Sequence, residues 1–231
     1  MPKNKARERS NSLYLHLEKM SLPVDGDEDT SSLVSLQGRP IQAASDTSRL
    51  LRMKKFRFQL LHQWLVSNFE PCRAADIGGG KGLLAYLLQL DGWDATVIDP
   101  VDQALPEKFK DLRTGSRVKI RPGERVKRLC AGFELEQAAG FDLLIGMHAH
   151  ACNVKIIDAA ARYSCEFVIF PCCVIGEPFY PPLGVHWLES LADYALRQGH
   201  TIQPFRLNFK GQNIGLYAKT KNTVNLSRQN Q

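Results

Sequence analysis

The residues with the clearest chemical meaning form a glycine-rich turn behind an acid. The sequence runs Asp76-Ile77-Gly78-Gly79-Gly80-Lys81-Gly82, between an apolar stretch and a leucine-rich one. Because glycine has no side chain and accepts positive φ, such a turn lets a ligand approach the backbone. The helix that follows would offer its unpaired N–H groups to the same ligand. The turn therefore predicts a ligand site, and three ligand classes compete for it.

The spacing of the glycines separates these three classes. A phosphate-binding P-loop needs a Lys followed by Ser or Thr after its last glycine, whereas here Lys81 precedes Gly82 and no hydroxyl follows. A dinucleotide fingerprint GxGxxG that begins at Gly78 would place its third glycine at Leu83, so it fits poorly. The remaining class takes its glycines at alternate positions, as this turn does.

Gly78, Gly80 and Gly82 behind Asp76 resemble the DxGxGxG signature of class I S-adenosylmethionine-dependent methyltransferases. Asp99 ends the next predicted strand, where a carboxylate accepts hydrogen bonds from ribose hydroxyls, a geometry that NAD enzymes share. The resemblance implies S-adenosylmethionine as cofactor, with Asp76 at its amino-acid end and the glycines beneath its sugar. The cofactor-binding residues expected from it are Asp76, Gly78, Gly79, Gly80, Gly82 and Asp99.

Two further strand ends carry reactive side chains. The fourth predicted strand leads into His148-Ala149-His150, and the fifth leads into Pro171-Cys172-Cys173. On an extended backbone His148 and His150 would face the same side, and either imidazole suits catalysis as a base at neutral pH. The alternative for both is packing or hydrogen bonding. Cys172 and Cys173 are either nucleophiles, as methylation at carbon 5 of a pyrimidine requires, or small buried hydrophobes.

These strand ends resemble those of tRNA ribose methyltransferases of the Pro-Cys-Cys type. That group tends to show His-Ala-Cys-Gly where this chain has His148-Ala149-His150-Ala151, and the cysteine is displaced here to Cys152. The resemblance implies RNA, with tRNA first, as the partner. Cys172 and the loop aromatics Phe179 and Tyr180 are then the expected substrate-binding residues, although the two rings either stack on a planar acceptor or cover the core.

The charge agrees with a polyanionic partner. The net charge is +6, and residues 108–128 hold nine bases against two acids. A second basic tract consists of Arg52, Lys54, Lys55 and Arg57. Such tracts either contact phosphates or form an ordinary solvated surface.

The six cysteines show no zinc-binding spacing, and the adjacent Cys172 and Cys173 are not expected to share a metal. No metal site is therefore predicted. Free thiols in a reducing, cytoplasmic compartment are expected. The first residues have no apolar run behind their positive charge, so no secretory signal is predicted. No stretch approaches the roughly 20 apolar residues of a membrane span.

An alternation of strands and helices must position these residues. Strands are predicted at 73–77, 95–98, 118–121, 141–147, 167–170, 201–209 and 213–218, and helices at 83–90, 103–112, 124–138, 154–163 and 185–198. This order predicts a three-layer Rossmann-like α/β fold with a mainly parallel seven-stranded sheet and a C-terminal antiparallel hairpin. Residues 46–220 form the expected methyltransferase domain, 1–45 a flexible arm with a short helix near 13–20, and 221–231 a tail.

The leading functional hypothesis is a methyltransferase acting on RNA. A methyltransferase of a small molecule or protein is the first rival. A cofactor- or RNA-binding scaffold without catalysis is the second, and an NAD dehydrogenase is the least favoured.

Overall fold

Short apolar strands alternate with amphipathic helices and build a sheet covered on both faces. The computed structural model describes residues 2–21 and 54–218, and in the first segment the side chains from residue 8 onward. The helices are α1 (Pro2–Ser21), α2 (Arg57–Asn68), α3 (Leu83–Leu90), α4 (Asn153–Tyr163) and α5 (Trp187–Arg197), with 3₁₀ turns at Lys54–Phe56 and Leu135–Gly140. The strands are β1 (Arg73–Ile77), β2 (Asp94–Ile98), β3 (Lys108–Lys110), β4 (Arg117–Lys119), β5 (Lys127–Leu129), β6 (Leu143–Met147), β7 (Glu166–Phe170), β8 (Ile202–Arg206) and β9 (Ile214–Ala218).

The main sheet has seven strands in the order β5-β2-β1-β6-β7-β9-β8. The first five are parallel, whereas β9 is antiparallel to β7 and pairs with β8 as a hairpin. The strand register aligns the carboxyl ends of β1, β2 and β6. Ile77 of β1 lies beside Ile98 of β2 and Gly146 of β6, so the segments after these three strands leave the sheet side by side.

The core lies in two layers, one on each face of the sheet. Leu17 of α1, Ile156 of α4 and Leu188 of α5 are fully buried on one face. Leu61 of α2 and Leu84 of α3 are fully buried on the other. The predicted three-layer Rossmann-like α/β fold with its C-terminal hairpin is confirmed.

The segment between β2 and β6 differs from the prediction. Helices were expected at 103–112 and 124–138, but these stretches hold β3, β5 and a 3₁₀ turn. The strand expected at 118–121 overlaps β4, which pairs with β3 outside the main sheet, and the third parallel strand is β5. Pro106 and Pro122 interrupt the chain here, and a proline cannot donate to a helical ladder. As an edge strand, β5 also lacks the apolar run that marks the buried strands.

The first part of the predicted flexible arm is instead a helix. α1 extends well beyond the short helix expected near residues 13–20, and its Leu17 is fully buried against the core. Arg206 of β8 donates to the Ser10 carbonyl oxygen at 2.9 Å and to Asn11 Oδ1 at 2.8 Å. These contacts attach α1 to the sheet. The remainder of the predicted arm, from residue 22 onward, and the predicted tail lie outside the described residues.

None of the helices in the described part of the chain is both long and apolar enough to cross a lipid bilayer.

Candidate functional site

The glycine turn leaves β1 at the carboxyl edge of the sheet, as the sequence predicts. The Gly78 N–H donates to the Ile98 carbonyl oxygen at 2.8 Å, which extends the β1–β2 pairing into the turn. Positive φ angles occur at Gly78 (64°), Gly80 (54°) and Gly82 (76°). At Gly82, which precedes α3, a Cβ would lie 2.9 Å from Val126 Cγ2, so a side chain there would clash as well as strain the backbone.

Asp76 is buried beneath the turn. It is 1% exposed, and neither of its carboxyl oxygens forms a hydrogen bond of good geometry with any described residue. A Cβ at Gly79 would lie 2.4 Å from Asp76 Oδ2, so the carboxyl group occupies the space that a side chain at 79 would need. Burial, and to a smaller extent the nearby Asp99 carboxylate, raises the pKa of Asp76 to about 7. The Ala85 N–H and the positive charge of Arg128 lower this pKa in part but do not offset the burial.

Asp99 follows β2 and binds the glycine turn. Its Oδ2 accepts from the Gly80 N–H at 2.9 Å, and its Oδ1 accepts from the Val101 N–H at 2.9 Å. Each carboxylate oxygen keeps a further lone pair, since an ionised carboxylate offers about four acceptor sites. Asp99 is 9% exposed and stands where the sequence predicts a ribose-binding acid.

Arg128, which sequence reasoning treated only as one member of a basic tract, closes the other side of the turn. Its guanidinium donates to the carbonyl oxygen of Gly80 at 2.7 Å, of Gln103 at 3.2 Å and of Val101 at 3.3 Å. Only 9% of its side chain is exposed. Arg128 thus ties the glycine turn to the loop after β2. No sequence pattern signals this role, because nothing in the basic tract distinguishes one arginine from its neighbours.

The loop after β6 is strained and closely packed. His148 and Ala151 adopt positive φ angles of 58° and 59°, a conformation that costs a residue with a Cβ roughly 1–2 kcal/mol. Ala149 between them lies so close to the glycine turn that a Cβ at Gly78 would be 3.1 Å from its own Cβ. The predicted cofactor turn and the predicted histidine loop are therefore in direct contact.

The two histidines do not share an environment, contrary to the expectation that they face the same side. The alternation assumed for an extended backbone is lost because His148 leaves the strand with positive φ. Its ring lies edge-on to Phe209, and among the described residues neither ring nitrogen has a hydrogen-bond partner. Burial, together with the positive charges of Lys54 and Arg57, lowers the pKa of His148 to about 4.

His150 is exposed and lies against the two adjacent cysteines. Its Nδ1 is 2.9 Å from Cys173 Sγ and 3.9 Å from Cys172 Sγ, and the two sulfurs are 3.8 Å apart. Both cysteines are free thiols. The cysteines were not expected to share a metal, and within a strand adjacent side chains do point to opposite faces. β7 ends at Phe170, however, so both cysteines lie on irregular backbone.

Glu177 was missed by sequence reasoning and fixes the loop that follows these cysteines. Its buried carboxylate accepts from the N–H groups of Asn153 (2.9 Å) and Val154 (3.1 Å) and from Asn153 Nδ2 (2.6 Å). It thereby caps the first turn of α4, where unpaired N–H groups favour an anion. The loop after β7 is held against the loop after β6, and the His150–cysteine contact depends on both.

The two aromatic residues predicted at the substrate lie in different surroundings. Phe179 packs against Trp187 and Tyr194, each with a ring-centroid distance of 5.3 Å, so its ring is part of the core packing. Tyr180 is 74% exposed and presents its ring at the surface. Of the two roles that the sequence left open, the core role applies to Phe179, and substrate stacking stays a prediction for Tyr180.

The segment between β2 and β5 forms a basic surface beside the turn. A cavity of about 1060 Å³ is lined there by Lys108, Lys119, Arg121, Arg125 and Arg128, with Asp102, Glu107 and Glu124 among its other lining residues. In the β3–β4 hairpin, Lys108 lies opposite Lys119, and Lys110 lies opposite Arg117. Directly opposed side chains share a face of the ribbon, so these four positive charges lie on one face and repel one another.

The second basic tract reaches the same surface. Lys110 Nζ lies 5.9 Å from the centroid of the Phe56 ring, and Gln59 Nε2 donates to the Lys110 carbonyl oxygen at 3.5 Å. Lys54 and Arg57 therefore lie beside the hairpin, although about fifty residues separate the two tracts in the sequence. The arrangement brings cations of the two tracts to one surface.

Solved structures of similar shape include several methyltransferases. The ribosomal protein L11 methylase of Lactobacillus delbrueckii subsp. bulgaricus is 15% identical, and the match covers 74% of this chain and 82% of that one at a TM-score of 0.45. A Corynebacterium glutamicum protein is 18% identical over 83% of this chain and 94% of that one, also at 0.45. CalO1, a methyltransferase in calicheamicin biosynthesis solved in an SAH-bound form, is 12% identical over 72% and 54%, at 0.41.

No protein-family model and no curated protein sequence matches the chain. Five parallel strands followed by an antiparallel hairpin, with a DxGxGxG turn after the first strand and an acid after the second, form a Rossmann-like α/β fold.

The buried Asp76 carboxyl group predicts an unusual pH dependence of stability. Its folded-state pKa of about 7 lies above the ordinary aspartate value of 3.8, so unfolding releases a proton between these pH values. The free energy of unfolding of the ligand-free protein should fall as the pH rises from about 4 to about 7, by up to about 1.4 kcal/mol per unit. Asp76→Asn should abolish this decrease. At pH 8 the free energy of unfolding of the variant should therefore exceed that of the wild type by about 2–4 kcal/mol. Urea denaturation at pH 4.5 and pH 8 measures both.

The control is Asp142→Asn. Arg73 binds Asp142 at 2.7 Å and lowers the pKa of that carboxyl group. The stability that this ion pair contributes is present above the unfolded pKa and is lost as the pH falls, so this variant should be less stable than the wild type at pH 8. If Asp76→Asn is no more stable to unfolding than the wild type at pH 8, the Asp76 carboxylate is not an uncompensated buried charge.

Proposed function

We propose that this protein is an S-adenosylmethionine-dependent methyltransferase whose acceptor is RNA. The cofactor is inferred from the pair of acids on either side of the glycine turn. Asp76 is buried without an adequate partner, and Asp99 binds the turn with lone pairs to spare. A ligand with an ammonium group and a ribose complements both.

The residues present fit this cofactor. An ammonium group near Asp76 would compensate a carboxylate whose pKa burial now raises to about 7. The Asp99 carboxylate can accept ribose hydroxyls while it keeps the Gly80 and Val101 N–H groups. The glycines leave the turn free of side chains, so a ligand can lie directly on the backbone.

S-adenosylmethionine, when bound, supplies an electrophilic methyl group on a sulfonium. The task of the protein is then to align donor and acceptor and to take up the proton that a hydroxyl or amine acceptor loses. Of the two predicted bases, His150 already shares its Nδ1 with Cys173. His148 lies at the end of β6, and neither of its ring nitrogens has a hydrogen-bond partner within the described ranges. Its lowered pKa keeps the ring neutral at neutral pH and so able to accept a proton, and we assign the base role to His148.

Cofactor binding is the first prediction of this proposal. Calorimetric titration should show binding of S-adenosylmethionine and S-adenosylhomocysteine but not of NAD. Asp99→Ala should lower the affinity for both adenosyl ligands at least about tenfold. The substitution removes charge-assisted hydrogen bonds to the ribose and the carboxylate that holds the Gly80 N–H of the turn. Asp94→Ala removes an exposed carboxylate from the other end of the same strand and should leave affinity unchanged. Failure of the wild type to bind either adenosyl ligand would refute the methyltransferase proposal.

The base assignment predicts a specific kinetic defect. His148→Ala should lower methyl transfer to the acceptor by about 10²–10⁴-fold while the affinity for S-adenosylhomocysteine stays within about twofold of wild type. The readout is transfer of labelled methyl groups to total tRNA. His200→Ala serves as the control, because His200 contacts the Ile157 carbonyl oxygen and the Phe167 ring at the amino end of β7. Unchanged turnover in His148→Ala would exclude this residue as the base.

The acceptor part of the proposal is supported by the positive surface. Like charges directly opposite one another destabilise a β ribbon, and the β3–β4 hairpin carries two such pairs in its three-residue register. A phosphate backbone that tracks the hairpin would remove this repulsion and reach the neighbouring Lys54 and Arg57. The apolar residues Phe109 and Val118 occupy the middle of the ribbon, and Phe109 packs against Tyr86 of α3.

RNA binding can therefore be separated from folding by one substitution. Lys119→Glu places a carboxylate opposite Lys108, so it should raise the stability of the hairpin and yet lower the affinity for tRNA. It should also reduce the slope of log affinity against log salt by about 1 for each phosphate that the protein no longer binds. Arg162→Glu makes the same charge change at the other edge of the molecule and should alter neither the tRNA affinity nor the salt slope.

Three outcomes would decide among the acceptor classes. If the cofactor-loaded wild type binds no RNA at low salt, the RNA proposal fails, and a small-molecule or protein acceptor takes its place. If it binds RNA and S-adenosylhomocysteine but transfers no methyl group to any RNA, it acts as a binding scaffold. Methylated RNA, with transfer reduced in Lys119→Glu, would support the proposal in full.

A further inference from the structure

The side chains of His150, Cys172 and Cys173 offer three metal-ligating atoms in one place. The atoms are Nδ1, Sγ and Sγ, and all lie within 4.8 Å of one another. Imidazole and thiolate are the ligands that Zn²⁺ takes in proteins, whereas harder ions such as Mg²⁺ take oxygen. The composition of the cluster thus selects a borderline-soft divalent ion.

The distances match a tetrahedral centre. Two thiolates bound to Zn²⁺ at about 2.3 Å lie about 3.8 Å apart, and a thiolate and an imidazole nitrogen lie about 3.6 Å apart. Here the two sulfurs are 3.8 Å apart, and Cys172 Sγ lies 3.9 Å from His150 Nδ1. Cys173 Sγ lies 2.9 Å from the same nitrogen, so the imidazole has to retreat by only several tenths of an ångström. Since His150 is exposed, its ring has room to do so.

The surroundings are built to hold these residues. His150 lies between His148 and Ala151, two residues with positive φ, and strained backbone of this kind clusters at functional sites. On the other side, the buried Glu177 carboxylate fixes the loop that carries both cysteines to the first turn of α4. The ligands therefore come from two loops whose relative position is set by hydrogen bonds outside the cluster.

We propose that His150, Cys172 and Cys173 bind one Zn²⁺ ion and leave its fourth coordination position open. Both thiols lose their protons on binding, so two thiolates, a neutral imidazole and the ion form a centre without net charge. Such a centre is compatible with the positive Lys54 nearby. Three protein ligands with an open fourth position are typical of zinc that binds water or a substrate atom, and the half-exposed cluster leaves that position towards solvent. Zinc binding here does not depend on methyl transfer.

Cobalt substitution tests the site. The full-length protein, stripped with a chelator under reducing conditions, is titrated with Co²⁺ and then with Zn²⁺. The wild type should bind one Co²⁺ per chain with the charge-transfer absorption of a cobalt–thiolate bond and the intense visible bands of tetrahedral Co²⁺. One equivalent of Zn²⁺ should abolish both, and excess Mg²⁺ should change neither.

Matched cysteine variants locate the ligands. Cys172→Ser and Cys173→Ser should each lose most of the charge-transfer absorption and at least about tenfold in affinity, and His150→Ala should lose affinity with part of the absorption retained. Cys72→Ser is the control, because Cys72 lies before β1 at the opposite edge of the sheet and should leave the spectrum unchanged. Circular dichroism and S-adenosylhomocysteine binding of each variant establish that it is folded.

A second measurement needs no variant. Zn²⁺ should slow alkylation of Cys172 and Cys173 by N-ethylmaleimide at least about tenfold, as mapped by mass spectrometry, and leave the exposed Cys130 unaffected. The proposal is overturned if no thiolate absorption develops, if it survives in Cys173→Ser, or if Zn²⁺ protects all cysteines alike. Each of these results is readable whether or not the protein transfers methyl groups.

Discussion

The structure depends on a close approach that only glycine permits. At the carboxyl edge of the sheet, the turn after β1 is pressed against the Asp76 carboxyl group below and Ala149 beside it. A Cβ at Gly79 would overlap the carboxyl group, and one at Gly78 would crowd Ala149. The turn can approach these groups because its backbone is bare, and its Gly78 N–H then completes the pairing with β2. Everything proposed for the site is positioned relative to this turn.

Around the turn, the two halves of the sheet carry different chemistry. β1 and β2 provide carboxylates, one uncompensated and one with spare acceptor sites, which suits a ligand with cationic and hydroxyl groups. β6 and β7 provide imidazoles and thiols, which suit proton transfer and soft metal ions. The packing of Ala149 against Gly78 joins the halves, so a shift of the turn must move the histidine loop because both are closely packed.

The energetic cost of this arrangement is concentrated at its functional end. Asp76 is buried without adequate hydrogen bonds, two residues in the loop after β6 adopt positive φ, and the β3–β4 hairpin opposes like charges. The rest of the described fold is conventional, with apolar layers on both faces and Glu177 capping α4. Buried unpaired charge and strained backbone persist only where the surrounding packing stabilises them, and they mark sites at which a ligand supplies the missing interaction.

The order of elements around the site, the glycine turn and the two acids beside it could all be predicted from the sequence. These features are local, because glycine spacing and apolar runs act over a few residues. Prediction failed between β2 and β6, where prolines and a solvent-exposed edge strand leave no periodic apolar pattern. Tertiary packing determines instead that Phe179 enters the core and that His148 separates from His150. It also brings adjacent cysteines to one imidazole and two basic tracts to one surface. These outcomes join residues remote in sequence or on irregular loops, and their distances follow from strand register and loop path, which no local pattern encodes.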